Sequence, residues 1–273
     1  QANPSLSLVI LDNISRGHFA RSLPKTLHLM GEQDFFMPNR YSQFYNSPEL
    51  NLNMLLNGKD GTKLIYINSE RGCMVFSNLE PSSSPDGMSF YMNSSHADFS
   101  TTPMHSYNMI RQQNENCLSN GKSKVSSILS PLIDFSSSFT STCHYSLTHM
   151  RTPTNHSHLG SIDQELSNTI SRFITSRASE RTILFILSPN GFTDDGLVGT
   201  VEGKSPLMAA WFPPAFRKVR NDHYSTFAWN MDKLFTTRDV HETFREVAEA
   251  SFNETITIID TDMEQSEVRN IFI

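Results

Sequence analysis

Apolar positions in this chain cluster into short runs that end on polar turn residues, and the stretch Leu6 to Ser15 (LSLVILDNIS) sets the pattern. Leu6 and Leu8 to Leu11 are apolar and branched, and the run stops at Asp12-Asn13. A continuous run of this kind predicts a strand covered on both faces, as in a parallel sheet. Ligands bind beyond the carboxyl ends of such strands, so Asp12 is placed at the mouth of a site. Arg181 to Phe192 (RTILFILSPNGF) repeats the design, with a strand Ile183 to Leu187 ending in Ser188-Pro189-Asn190-Gly191. Two solvated loops on ordinary core strands would read the same way.

Between these runs the period changes. Arg16 to Met30 places Phe19, Leu23, Leu27 and Met30 at helical spacing, and Pro24 divides it into two short helices. Gly31 to Tyr45 is an aromatic-rich strand or loop. Ser47-Pro48 starts a helix as N-cap and first helical residue, and Gly58 ends it. Ser47 is therefore a hydroxyl at a helix N-terminus, where an anion is favoured, although a plain cap accounts for it better. Lys63 to Ile67 and Gly72 to Phe76 read as strands, and Tyr91 to Tyr107 as a polar loop in which His96, Asp98 and His105 are solvated. Val125 to Phe139 is helical despite Pro131, and Cys143 to Leu147 is a buried strand.

Thr148 to Leu166 follows as a loop carrying His149, His156 and His158, imidazoles that are candidate metal ligands. Ile162 to Ile174 is the clearest amphipathic helix, and its place between two strands implies a right-handed crossover and a parallel pair. Gly191 to Gly203 reads as a glycine-punctuated loop, Pro206 to Phe212 as a strand, Val240 to Ala250 as a helix and Thr255 to Ile259 as a short strand.

Composition narrows the class. The 273 residues are 37% hydrophobic and 18% charged, enough to bury a core in one large or two smaller domains. A net charge of -6 without a basic block disfavours nucleic acid as a partner. No run approaches the roughly 18 apolar residues of a membrane span. Three cysteines, Cys73, Cys117 and Cys143, allow one bridge and one thiol. The start Gln1-Ala2-Asn3-Pro4 reads as a linker, which favours a processed segment of a longer chain. Together with sequons at Asn13, Asn93, Asn155 and Asn253, it leads to the expectation of a glycoprotein, secreted or in the lumen of the secretory pathway.

Several segments, in order, resemble a sulfatase-like family of unknown function within the alkaline phosphatase and sulfatase superfamily. LVILDNISRGHFARSLPKTLHLM is similar to its opening strand, Asp-Ser-x-Ser-Arg and Phe-x-Arg-x-x-Pro-Lys-Thr. The run from Cys117 to Lys122 resembles its Cys-Leu-Gly-Gly segment. The His-rich loop with IDQEL resembles its Ser-His-Asp loop, and TILFILSPNGF its strand ending in Ser-Asp-His-Gly. SPLMAAWFPPAFR and NMDKLFTTRDVHETFREV resemble later segments, so the likeness runs from Leu6 to about Ala250.

The resemblance implies a three-layer αβα fold with a mostly parallel central sheet, alkaline-phosphatase-like, as a single domain over residues 1–273, truncated at its C-terminus. It also implies hydrolysis of phosphate or sulfate esters, with small-molecule or glycan esters as substrates. One or two divalent cations such as zinc or calcium would assist a nucleophile there. Carried over, Asp12 matches the first metal ligand, His158, ahead of His149 and His156, the loop histidine, and Ser47 the nucleophile. Asn190 stands at a metal position where the family has a better donor: its Asp-His is Pro189-Asn190 here. Proline has no donor side chain, and zinc prefers His, Cys and carboxylate to an amide. The expectation is a degenerate domain without efficient hydrolysis, acting as a binding or structural protein. The alternatives are a hydrolase using one hard cation held by Asp12, Asp194 or Asp195 and a histidine, and an α/β binding domain whose likeness is only architectural.

Overall fold

The computed structural model describes residues 4–61, 63–80, 96–105, 117–118, 121–152, 156–192 and 197–249. The predicted strand at Thr255, and Asp194 and Asp195, lie outside the described residues.

In chain order the elements are β1 (Ser5–Leu11), α1 (Arg16–Ser22), α2 (Pro24–Glu32), β2 (Tyr41–Ser42), α3 (Pro48–Asn57), α4 (Leu64–Glu70), β3 (Met74–Leu79) and β4 (Phe99–Ser100). They continue as α5 (Lys124–Ser138), β5 (His144–Met150), α6 (Asp163–Thr175), β6 (Thr182–Leu187), α7 (Leu197–Gly203), β7 (Met208–Trp211), α8 (Pro214–Val219), α9 (Asn221–Asn230), β8 (Phe235–Thr236) and α10 (Thr237–Glu249). Six strands form one sheet in the order β4-β3-β5-β1-β6-β7, parallel except for β7 against β6. All seven residues of β1 are buried, as expected of a central strand with both faces covered.

Alternation along β1 divides the core in two. Leu6, Leu8 and Ile10 face a layer holding Leu52 and Leu55 of α3, Phe227 of α9 and Phe244 of α10. Val9 and Leu11 face the other layer, with Phe19 of α1, Ile128 of α5 and Leu166 and Phe173 of α6. The result is the three-layer αβα arrangement. Strands β5 and β6 are parallel, but β1 lies between them, so the crossover through α6 passes over a strand already in place.

Local signals explain many boundaries. Pro24 opens α2, Ser47 caps α3 by accepting from the Leu50 N–H, and Ser123 caps α5 in the same way. Gly58 ends α3 at a φ of 64°, and a Cβ there would meet His241 Nε2 at 2.5 Å. That position needs glycine for both conformation and space.

Three expectations are corrected. Lys63 to Ile67 is not a strand: Leu64 starts α4, with Leu64 and Asn68 buried one turn apart and the Asn68 amide donating to the Leu64 carbonyl. The four apolar residues Leu64 to Ile67 fit either period, and packing on β3 and α10 selected the helix. The second half of Gly191 to Gly203 is also helical, as α7. His105 is not solvated: it is 3% exposed, and its Nε2 donates to Asn78 Oδ1 at 2.6 Å.

Cys73 and Cys143 form a disulfide between the starts of β3 and β5, with Cα atoms 4.8 Å apart, and Cys117 lies outside the bridge. Among the described residues no helix is long and apolar enough to cross a membrane.

Candidate functional site

Strand register assembles the polar corner at the carboxyl end of the sheet. Ile10 of β1 pairs with His149 of β5, and Asp12, two residues on, continues along the same face. The His149 imidazole therefore reaches Asp12 diagonally, and its Nε2 donates to Asp12 Oδ1 at 2.7 Å. Both groups are buried, at 2% and 7% residual exposure. Burial opposes the imidazolium, yet the Asp12 carboxylate, and after it the charge and main chain of Glu80, outweigh burial and hold the His149 pKa above its ordinary value.

Glu80, just past β3, is itself fully occupied. Its carboxylate meets Lys124 Nζ at 2.8 Å and accepts from the Arg151 N–H at 2.8 Å. Lys124 also donates to the Arg151 carbonyl. Beside it, Asn78 donates to the Ile128 carbonyl and to Thr148 Oγ1, and accepts from Thr101 and His105. Burial lowers the His105 pKa, so this second imidazole is held neutral.

On the other side of β1, Ile10 pairs with Leu187 of β6, so Asn13 and Asn190 stand three residues beyond a matched pair. Asn190 Nδ2 donates to Asn13 Oδ1 at 2.8 Å and to the Gly191 carbonyl at 2.9 Å. Asn190 is buried, and among the described residues its Oδ1 has no hydrogen-bond partner. Asn13 adopts a φ of 52°, the left-handed region that asparagine tolerates better than most residues. Ser188 ties the two turns together by accepting from the Ile14 N–H and donating to the Asn190 carbonyl. Gly191 is mandatory, because a Cβ would sit 1.8 Å from the Glu202 carbonyl oxygen.

The candidate residues are thus distributed as follows. Asp12 and Asn190 terminate adjacent parallel strands. The histidine against Asp12 is His149, which belongs to β5 rather than to the loop beyond it. His158 is exposed in the 3-10 turn His156–Ile162, where its carbonyl accepts from Ser161 Oγ. Ser47 caps α3 and donates to Glu49 Oε2 at 2.8 Å. Its loop is held to the same end of the sheet, since the Gln43 N–H donates to the Lys204 carbonyl and the Gly191 N–H to the Gly203 carbonyl. Sequence reasoning did not single out Glu80, Lys124 or Asn13. The polar break after Leu79 was the available signal for Glu80.

As a metal cage the donors fit poorly. The Asp12 oxygen and His149 Nε2 that could hold zinc are joined to each other, and the position on β6 offers an amide. Among the described residues no three His, Cys, Asp or Glu side chains converge for a metal ion.

Comparison with known proteins places this geometry. The model of a family described as a protein of unknown function (DUF229) matches residues 93–271. No curated protein matches. Among solved structures, the C-terminal periplasmic domain of EcEptC from Escherichia coli is 13% identical with a TM-score of 0.67, over 93% of this chain and 84% of that one. The soluble domain of lipooligosaccharide phosphoethanolamine transferase A from Neisseria meningitidis is 15% identical with a TM-score of 0.63, over 90% and 88%. A protein in the alkaline phosphatase superfamily from Vibrio parahaemolyticus is 9% identical with a TM-score of 0.63, over 91% and 67%. At these identities the likeness is one of fold, and the fold is that of the alkaline phosphatase superfamily.

Proposed function

The chain belongs to the family of proteins of unknown function (DUF229), and from that membership we propose a degenerate superfamily domain that binds a ligand without hydrolysing esters efficiently. One observation carries the reading: the Asp12 carboxylate, at the place where the resemblance puts the first metal ligand, is joined to His149. With its Oδ1 held by the buried His149 imidazole, the Asp12 carboxylate has only Oδ2 left to offer a metal. The change to Pro189-Asn190 at the end of β6 removes two further donors. Ser47, offered as the nucleophile, retains the full duty of an N-cap.

A second reading has its own support. Among the described residues Asn190 Oδ1 is buried without a partner, and an amide oxygen is an acceptable ligand for calcium or magnesium. Under it, Asp12 and Asn190 would hold one hard cation, with Asp194 or Asp195 as further oxygen donors, for a phosphate- or sulfate-ester hydrolase. Transfer instead of hydrolysis belongs to the same reading, since one neighbour is named a phosphoethanolamine transferase.

Titration with zinc, manganese and calcium, followed by thermal shift and by turnover of aryl phosphate and aryl sulfate esters, separates the two. No shift and no turnover above buffer supports the degenerate reading. Metal-dependent turnover abolished by Asp12→Ala overturns it. Restoring donors with Pro189→Asp and Asn190→His is expected to raise zinc affinity by at least about tenfold. An unchanged titration contradicts the assignment of Asn190 to a metal position. The Cys73–Cys143 bridge supports an oxidising compartment, and hence a secreted or lumenal protein that carries glycans.

A further inference from the structure

Beside the Asp12 corner, and sharing no residue with it, a cleft of about 330 Å³ opens between a small second sheet and the end of α7. Strands β2 and β8 pair in parallel, Tyr41 with Phe235 and Ser42 with Thr236, and the two rings stack at 5.5 Å. This pairing brings Arg40 and Leu234, the residues just before each strand, to one rim. The opposite wall is Val201, Lys204 and Ser205. Ser42 Oγ donates to the Lys204 carbonyl at 3.0 Å, which fixes the distance between the walls. The floor is Tyr41, whose hydroxyl donates to the Ser188 carbonyl at the end of β6.

The lining chemistry is one-sided. Arg40 and Lys204 are cationic, no acidic side chain lines the cleft, and among the described residues neither cation forms a side-chain ion pair or hydrogen bond. Two other arginines are engaged, Arg21 with Glu202 and Arg217 with Asp34. Two unpaired cations across a cleft focus a positive potential inside it, in a chain whose net charge is -6. The rim carries apolar surface as well, with Leu234 69% and Val201 60% exposed. The volume lies at the small end of the range for ligand pockets, which suits a sugar-sized molecule.

We propose that the Arg40–Lys204 cleft is a non-catalytic binding site for an oxyanion carried on a small polyol. The guanidinium and ammonium hold a phosphate, sulfate or carboxylate, the Ser42 and Ser205 hydroxyls meet polyol oxygens, and Leu234 and Val201 cover the apolar face of a sugar ring. This is independent of whether the Asp12 corner binds metal or turns over esters.

Isothermal titration of the whole chain with N-acetylglucosamine 6-sulfate, glucose 6-phosphate, glucuronate and inorganic sulfate tests it. The sugar anions are expected to bind at least about tenfold more tightly than inorganic sulfate, with affinity falling as salt is raised. Arg40→Ala with Lys204→Ala should weaken binding at least about tenfold, and Leu234→Ser should erase the preference for sugar anions over inorganic sulfate. Arg172→Ala, on exposed α6 surface, should leave binding unchanged. No heat with any of the four ligands, or binding indifferent to the double substitution, overturns the proposal. Equal affinity for inorganic sulfate overturns its polyol part. Ester turnover measured in parallel bears only on the preceding reading, so the two fail separately.

Discussion

Two histidines five residues apart on β5 have their pKa values moved in opposite directions. His144 opens the strand at the amino end of the sheet, next to the Cys73–Cys143 bridge, and burial lowers its pKa to about 4. Its Nε2 hydrogen-bonds to a hydroxyl, that of Thr182 on β6. His149 closes the strand at the carboxyl end, equally buried, and its pKa is raised because Asp12 faces it. The amino end is thus a neutral, covalently tied seam, and the carboxyl end concentrates charge. Burial is common to both, so what separates them is whether a neighbouring strand ends in a carboxylate.

The comparison breaks first at the bridge. Replacing Cys73 and Cys143 by alanine opens a loop with a sequence separation of 70, and chain entropy predicts a loss of about 4 kcal/mol in denaturant unfolding. A loss below about 1 kcal/mol would show that the seam holds without its covalent tie.

Asp12→Ala strikes the other end. It leaves an imidazole buried without its counter-charge, and a cost of roughly 3 kcal/mol is expected. The stabilisation from a raised folded pKa is complete below the unfolded value of 6.5 and is lost as pH rises through the folded pKa. The penalty should therefore be larger at pH 6 than at pH 9. A penalty that grows with pH would contradict the charged pair.

His144 has the reverse sign. Above pH 6.5 it is neutral in both states, and as pH falls from 6.5 towards 4 only the unfolded chain takes up the proton. The wild type should lose up to about 3 kcal/mol over that interval relative to His144→Gln. Parallel pH profiles for the two proteins would remove the contrast.

The smallest effect is at Ser47. Losing an N-cap costs about 1 kcal/mol, and Ser47→Ala should show that in thermal unfolding while ester turnover stays at the level of the wild type. A drop in turnover would assign the hydroxyl to chemistry.

Legibility in the chain followed the strength of local signals. The strand before Asp12, the break at Pro24, the Ser47 cap and the amphipathic run to Ile174 each rest on interactions within a few residues, and each stands where it was read. Lys63 to Ile67 was misread because its four apolar residues, Leu64 to Ile67, carry no period of their own. The segment from Leu197 was misread because its glycines hide a short helix that packs on α1. His149 was grouped with His156 and His158 because β5 runs further than its apolar letters, through Thr148 and His149, whose Oγ1 and Nε2 are hydrogen-bonded to Asn78 and Asp12 of neighbouring segments.

Local order, then, was in the letters: apolar runs ending on polar turns suffice for an α/β sheet with chemistry-bearing residues at the strand ends, because burial and capping act over short spans. Which of those residues meet was not in the letters. Asp12 with His149 and Asn13 with Asn190 are separated by 137 and 177 positions, and Arg40 and Leu234 come to one rim of a cleft only when β2 and β8 pair. Contacts across such distances depend on strand order and register, which are collective properties of the packed core.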